Sequence, residues 1–576
     1  MNPNAQNSAG NDAVRGQFFR KVWKLVVPYW RSEEKGKAWT LLIAVIVLSL
    51  FSVGISVWLN NWYKEFYNAL QEKNQPAFWH LIFTFCGIAT VAILGAVYRL
   101  YLTQMLTIRW RAWLTEQHFK RWLDHKNYYH LERRYHTDNP DQRISEDLNS
   151  FTADTLSLSI GLLRNVVSLV SFSVILWGVS GDIEVFGFNI PSYMFWCALL
   201  YAIVGSWLTH LIGRRLISLS NLQQRYEANL RFSMIRVREN SESIALYKGE
   251  ANEYQQLTAR FGDIWRNYWS TMRVQKQLTF FTAGYGQIAT VFAFIVAAPR
   301  YFSGKIELGG LMQINSAFGN VQENMSWFID AYTSLASWRA TSDRLLSFRE
   351  AMEANEASPQ AIAVSQQGTD LVINDLDLDI GQTRHLLAGA AMTVAPGDRV
   401  MISGRSGSGK SSLLRAMGEL WPEGDGQIRL PAGRLLFLPQ KPYLPIGTLR
   451  DALSYPQAGE VYSAESYAQA LQDCRLEHLV AQLDVSEHWQ SLLSPGEQQR
   501  LAFARALLFK PQWLFMDEAT SAMDEEDEAG LYEGLIDALP GLSIVSVGHR
   551  SSLKRFHPRQ VRIESGQLEA QASPAA

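Results

Sequence analysis

The chain has 576 residues, with 53 Lys+Arg against 55 Asp+Glu. That is length enough for two or three ordinary domains, and the balanced charge gives no support to a nucleic-acid partner. The near-neutral mean hydropathy hides a contrast between an apolar, Trp-rich first half and a charged second half. The three cysteines, Cys86, Cys197 and Cys474, form neither a metal-type pair nor a disulfide framework.

Residues 1–37 are expected to form a cytoplasmic N-terminal segment; its first part, Met1 to Gly16, is polar and lacks the apolar core of a cleavable signal peptide, so the first hydrophobic segment is expected to be a retained anchor. A bilayer core of about 30 Å calls for about 20 largely apolar residues per helical span. Trp39–Trp58, Trp79–Leu102 and Ser192–Ile212 meet this; Leu156–Val179 does so despite Arg164, and Leu278–Ala298 despite its glycines. The sixth candidate, Gly309–Trp327, carries Gln313, Asn315, Asn320, Gln322, Glu323 and Asn324. Its apolar residues Leu311, Ile314, Phe318, Val321, Met325 and Phe328 nevertheless recur at helical spacing. Gln313, Ser316, Asn320 and Asn324 fall on another face, which suits a span lining an aqueous cavity. A soluble amphipathic helix would show the same pattern, but an even number of spans agrees with the loop charges.

Those charges set the topology. Lys21, Lys24, Arg31, Lys35 and Lys37 precede the first span. The second-to-third connection carries Arg109, Arg111, Lys120, Arg121, Lys126, Arg133, Arg134 and Arg143, and the fourth-to-fifth is similarly basic. Gly181–Pro191, between the third and fourth spans, has no basic residue. The positive-inside rule then places the N-terminus, both long loops and everything after the sixth span in the cytoplasm. The long loops read as helices, so the spans are expected to continue beyond the bilayer. The organisation expected is a six-helix membrane domain over 38–349, a polar linker over 350–370, an α/β domain over 371–566 and a loose tail over 567–576.

In the second half, Gly404-Arg405-Ser406-Gly407-Ser408-Gly409-Lys410-Ser411 fits the phosphate-binding loop G-x-x-x-x-G-K-[ST], between a strand at Arg399–Ser403 and a helix beginning at Ser411-Ser412. The glycines let backbone N–H groups wrap phosphates, and the helix N-terminus adds positive potential. Lys410 is expected on the β- and γ-phosphates and the Ser411 hydroxyl on Mg²⁺. The apolar strand Trp513–Met516 ends in Asp517-Glu518. Asp517 is placed for the Mg²⁺ shell, and Glu518 to orient or deprotonate an attacking water. A phosphate loop with an acidic strand end defines an NTPase.

Leu493-Ser494-Pro495-Gly496-Glu497-Gln498-Gln499-Arg500 narrows the class. Ser494 and Glu497 have capping-box spacing and Pro495 suits the first helical position, so a helix begins here with an anion-accepting end. The segment resembles the signature sequence of ATP-binding-cassette (ABC) proteins, and three other segments resemble that family's pattern in order. Gln440 matches the glutamine loop, which senses Mg²⁺. Ser521-Ala-Met-Asp524 matches the segment that crosses the dimer interface, and His549 matches the switch histidine that contacts the γ-phosphate. The resemblance implies ATP and Mg²⁺ as cofactors. It also implies a homodimer, because in this family the phosphate loop of one copy faces the signature helix of the other. Two departures stand out. Pro495 replaces a glycine, while Gly496 remains for close approach. Asp370–Val400 holds no aromatic residue for adenine, so base contact is weaker or falls to His385 or an aliphatic side chain.

Asn139–Asp147 in the first long loop, Arg238–Glu250 in the second, and Leu420-Trp421-Pro422 resemble the BacA/SbmA-related and peroxisomal fatty-acyl branch of ABC half-transporters. The resemblance runs from about Phe18 to about Glu564. It implies ATP-driven transport across the cytoplasmic membrane, with the two loop motifs serving coupling. The polar face of the sixth helix favours a hydrophilic cargo such as a peptide or a cobalamin-like solute. An exporter or acyl-CoA carrier on the same fold, or a membrane ATPase that gates or signals without cargo, is the alternative. Glu323 either binds cationic cargo or a proton, or pairs with an arginine.

Overall fold

The computed structural model describes residues 18–134, 139–185, 188–358, 361–381, 384–457 and 461–571. The chain divides into two compact units, Met1–Ala354 and Asn355–Ala576.

The first unit is helical: α1 (residues 18–31), α2 (Lys35–Gln71), α3 (Gln75–Leu123), α4 (Asn127–Arg134), α5 (Leu148–Ser180), α6 (Tyr193–Glu239), α7 (Ser241–Tyr247), α8 (Glu250–Phe302) and α9 (Leu308–Ala357). A short hairpin, β1 (Ile183–Val185) with β2 (Phe188–Ile190), links α5 to α6. Among the described residues, α2, α3, α5, α6 and α8 lie in the five helices long and apolar enough to cross a membrane. At 1.5 Å per residue, the 47 residues of α6 and 53 of α8 far exceed a bilayer core, so these spans do extend beyond it.

Small side chains set the helix spacing. Ala289, Ala293 and Ala297 recur every four residues on α8 and pack against Phe172, Leu176, Tyr193, Met194 and Ala198. At Gly205 an added Cβ would run into the Tyr285 ring, and Tyr285 in turn stacks on Tyr201 with centroids 4.2 Å apart. The backbones of α6 and α8 close up there because α6 carries no side chain.

α9 contains the sixth expected span, although its composition keeps it out of the apolar set. The expected stripe is buried at Leu311, Ile314, Phe318 and Val321, all in one cluster with α5, α6 and α8. Met325 is half-buried, and the side chain of Phe328 lies outside the described set. The polar face differs from expectation. Gln313 and Asn324 are buried: Gln313 Nε2 donates to Asn61 Oδ1 at 2.9 Å, and Asn324 Nδ2 to Ser168 Oγ at 2.8 Å. In a membrane such amides hydrogen-bond between helices. This pair forms an interhelical seam; Ser316 and Asn320 stay half-buried, and Glu323 is exposed.

The expected linker over 350–370 is mostly structured. α9 runs to Ala357 with Met352 fully buried, and β3 (Ala363–Gln366) already belongs to the second unit. The apolar face missing from the sequence of this stretch is supplied by neighbours: Met352 joins a cluster with Tyr29, Trp110 and Phe348.

The second unit has two sheets. One orders β3, β7 (Gly424–Leu430), β4 (Leu371–Ile380) and β5 (Arg384–Val394). The other orders β14 (Gln567–Gln571), β13 (Arg559–Glu564), β6 (Arg399–Gly404), β12 (Ser543–Val547), β11 (Trp513–Asp517) and β8 (Leu435–Leu438), parallel except for β14. The expected tail therefore begins as a paired strand, and 572–576 lie outside the described residues. A short antiparallel pair, β9 (Gly447–Thr448) with β10 (Ser486–Glu487), and the helices α10 (Lys410–Met417), α11 (Leu449–Ser454), α12 (Ala464–Asp473), α13 (Pro495–Phe509) and α14 (Glu525–Ala538) complete the α/β fold. The run Trp513–Met516 is fully buried, as a central parallel strand requires. Phosphate loop, Asp517-Glu518 and His549 all follow the carboxyl ends of these parallel strands, where open α/β sheets place their ligand sites.

Candidate nucleotide site

The phosphate loop depends on three left-handed glycines, Gly404, Gly407 and Gly409. A Cβ at Gly404 would meet Ser408 Oγ at 2.8 Å, and one at Gly409 would meet Leu386 Cβ at 3.2 Å. Only glycine allows this close wrap. Lys410 is buried, and its ammonium donates to the carbonyls of Gly404 and Arg405, each at 3.0 Å. Burial lowers the Lys410 pKa, with Glu518 and Asp517 pulling it back up. Arg405 and Ser406 stand exposed on the loop; Ser412 is buried in the first turn of α10. The Ser408 hydroxyl is buried and has no partner among the described residues.

Ser411 Oγ donates to Asp517 Oδ1 at 2.9 Å, so the two expected Mg²⁺ ligands from α10 and β11 converge. Burial raises the Asp517 carboxyl above its usual range, against the opposing Ser411 bond. A hydroxyl beside a desolvated carboxylate, next to a glycine cradle and a buried ammonium, fits a magnesium–nucleotide complex. Ser411, Asp517 and Gln440 are the residues that would hold the ion, which would supply charge neutralisation on the phosphates.

Glu518 is the centre of the constellation. Its φ is +48°, a region costly for a side chain larger than glycine, and its N–H donates to Val547 O at 3.0 Å. Its carboxylate receives Gln440 Nε2 at 3.1 Å and lies 3.1 Å from His549 Nε2. Three segments separated widely in sequence thus meet on one carboxylate.

Ser494 caps α13 as expected: Glu497 N–H donates to Ser494 Oγ at 3.3 Å and Ser494 N–H to Glu497 Oε2 at 2.9 Å. This capping corrects one expectation. Pro495 has no N–H and that of Glu497 is taken, so Gly496 supplies the remaining first-turn N–H among the described residues. Among those residues no hydrogen bond joins Ser494, Gly496 or Glu497 to the phosphate loop.

Gln499, within the signature segment, is buried. Gln499 Nε2 donates to Gln440 O at 3.0 Å and to Ser521 Oγ at 3.1 Å, while its Oε1 accepts from Ala522 N–H at 2.9 Å. One buried amide therefore holds the signature helix, the glutamine loop and the Ser521–Asp524 segment in register. Arg550 adds bonds to Met523 O at 2.7 Å and Ser521 O at 3.0 Å. No local pattern marks such a residue; only the convergence of the three segments does. His385, one alternative for base contact, is engaged by Asp379 at 2.6 Å, whereas its neighbour Arg384 extends to within 3.4 Å of Gly407 O. Trp421 is buried and donates to Asp379 O at 3.2 Å, a structural role for the Leu420-Trp421-Pro422 motif.

Comparisons with known proteins agree with this geometry. Residues 23–302 match the family described as ABC transporter transmembrane region 2, and residues 387–521 match the ABC transporter family. A Haemophilus influenzae protein named as an uncharacterized ABC transporter ATP-binding protein is 38% identical over 95% of this chain and 93% of its own. The chloroplastic ABC transporter D family member 2 of Arabidopsis thaliana is 34% identical over 95% of this chain and 86% of its own. The human lysosomal cobalamin transporter ABCD4 is 27% identical over 96% and 95% respectively. A solved bacterial Atm1-family ABC exporter with ATP bound superposes with a TM-score of 0.73 at 20% identity, covering 93% of this chain and 95% of that one. The chain belongs to the ABC transporters. It fuses a helical membrane domain to an ATPase domain in the Atm1-family exporter fold, is homologous to D-family members, and couples ATP hydrolysis to transport.

Proposed function

We propose that two copies of this chain form an inner-membrane transporter that moves a hydrophilic solute, such as a peptide or a cobalamin-like compound, at the expense of ATP. The observation that carries the catalytic part is the bridge of Gln440 and His549 onto Glu518, next to Ser411 and Asp517. In this reading Glu518 accepts the proton of the attacking water, His549 and Gln440 orient its carboxylate, and Lys410 neutralises phosphate charge. Ser494, Gly496 and Glu497 serve the site of the partner copy, which makes the homodimer a chemical requirement. In the second long-loop motif Leu246 and Tyr247 stand 76% and 88% exposed, apolar groups suited to docking for coupling. The hydrophilic cargo is supported by Ser316, Asn320 and Glu323, the polar residues of α9 that stay at least partly exposed, and by the name of the human relative. Relatedness to the BacA/SbmA branch rests on the Asn139–Asp147 and Arg238–Glu250 motifs.

Lys410→Ala is expected to weaken ATP binding by about ten- to a hundred-fold, the scale of lost charge-assisted bonds in a desolvated site. Isothermal titration with a non-hydrolysable analogue checks this, and unchanged affinity would remove Lys410 from the site. Arg384→Ala is expected to weaken binding about three- to ten-fold through loss of a stacking cation, with His385→Ala near neutral. The reverse order would return the base contact to His385. The transport reading itself is tested in sealed proteoliposomes with candidate solutes. ATP-dependent solute movement, together with solute-stimulated ATPase, is the expected result, and ATPase outside or inside the vesicle gives the direction. Stimulation without movement of any solute would favour a gating or signalling ATPase.

A further inference from the structure

The membrane unit contains a cavity that plays no part in the nucleotide chemistry. Its volume is about 270 Å³, and it lies between α1, the cytoplasmic end of α3 and the C-terminal part of α9. Lys24, Lys120, Arg121 and Arg349 line it, with Asp124 the acidic residue of the lining. Glu353 compensates two of these cations, at 3.3 Å from Arg121 and 2.8 Å from Arg349. The ammonium groups of Lys24 and Lys120 make no ion pair among the described residues, so the cavity keeps an uncompensated positive charge. Leu25, Pro28, Trp113 and Met352 give it an apolar wall. Cations beside an apolar wall match an amphiphile with an anionic head.

Its position points to the source of that amphiphile. Trp39 Nε1 donates to Trp30 O at 3.3 Å, which fixes the end of α1 at the level where the first span begins. α1 buries Phe18, Val22, Leu25 and Tyr29, but holds Phe19 and Trp23 60% and 67% exposed. A helix with one face packed on the bundle and aromatic side chains on another is built for the membrane interface. We propose that this cavity binds the phosphate of an acidic phospholipid from the cytoplasmic leaflet, with Lys24 and Lys120 as its charge partners.

The test uses the full chain in nanodiscs of phosphatidylcholine with and without phosphatidylglycerol, with retained lipid counted by native mass spectrometry. Wild type should retain one phosphatidylglycerol per chain. The double variant Lys24→Ala/Lys120→Ala should retain it about ten- to thirty-fold more weakly, the scale of two interfacial cations. Arg214→Ala/Arg215→Ala, which removes two cations from the other basic loop, should retain it as wild type does. Equal loss in both double variants would mean diffuse attraction and overturn the site. Displacement of the lipid by glycerol phosphate at equal concentration would assign the cavity to a soluble phosphate and overturn the lipid. Basal ATPase in phosphatidylcholine alone should be unchanged in both variants, because neither pair touches the nucleotide site. A measurement without substitutions stands beside these: phosphatidylglycerol should protect Lys24 and Lys120 of the wild type from an amine-reactive label. Equal labelling in the two nanodiscs would also overturn the proposal.

Discussion

Glu518→Gln should reduce steady-state ATP hydrolysis by about a hundred- to ten-thousand-fold while leaving ATP affinity within about three-fold of wild type. The amide keeps the shape of the carboxylate and can accept from Gln440 Nε2, so the geometry around the site survives. It cannot take up a proton, and it removes the negative charge that faces His549. The strained backbone at φ +48° is held by the bond to Val547 O, which the substitution leaves in place. The expected signature is therefore a protein that binds ATP and stays in the closed dimer. Phosphate release measured beside equilibrium nucleotide binding separates the two effects. Turnover at the wild-type rate would show that another group activates the water. A parallel loss of binding would instead indicate that Glu518 shapes the site.

The second large effect lies in the membrane unit. Asp147 is buried, 2.7 Å from Arg143, and receives Arg344 through two bonds of 2.7 and 3.0 Å. Asp147 closes the widened helical turn Arg143–Asp147 that leads into α5, while Arg344 belongs to α9. The carboxylate thus ties the first long-loop motif to the last helix. Asp147→Ala removes the three charge-assisted bonds that Arg143 and Arg344 make to this carboxylate, in a site where Arg143 is itself buried. Breaking such a buried pair costs about 3–5 kcal/mol. The apparent Tm in detergent should fall by about 5–10 °C. Asp343→Ala provides the contrast, since its partner Arg339 is 3.9 Å away and both are more than half exposed. That variant should shift stability by less than about 0.5 kcal/mol. Equal shifts for the two variants would remove Asp147 from any clamping role.

The Asp147 clamp also qualifies what the first loop motif does. From its resemblance alone, Asn139–Asp147 is expected to serve coupling as a whole. The structure divides it: Arg143, Ile144 and Asp147 face inward, and Asp141, Ser145 and Glu146 face solvent. The inward half serves the fold of the membrane unit, while the outward half stands open to solvent.

Most of the residues that converge in the candidate site were legible in the sequence because its parts are short and local. A phosphate loop needs glycines at fixed offsets, and a cap needs Ser494 three residues before Glu497. Each carries its own geometry within one turn of chain. The paired acids at the end of β11 follow from a buried apolar strand that stops at a charge. The five apolar spans were legible for the same reason: length and composition alone make a segment able to cross a membrane.

What only the tertiary structure decided involves partners distant in the chain. Gln499 matters because Gln440, Ser521 and Ala522 converge on it, and no spacing in the sequence announces that meeting. Gln313 and Asn324 look like cavity residues on a helical projection, yet Asn61 and Ser168 on other helices take their hydrogen bonds. The stretch 350–370 lacks an apolar face of its own, but α9 continues through its first part because neighbouring side chains bury Met352. Local rules therefore determined the chemistry this chain can perform. Long-range packing decided which polar groups it commits to structure, because a buried donor or acceptor must find its partner wherever the fold brings one.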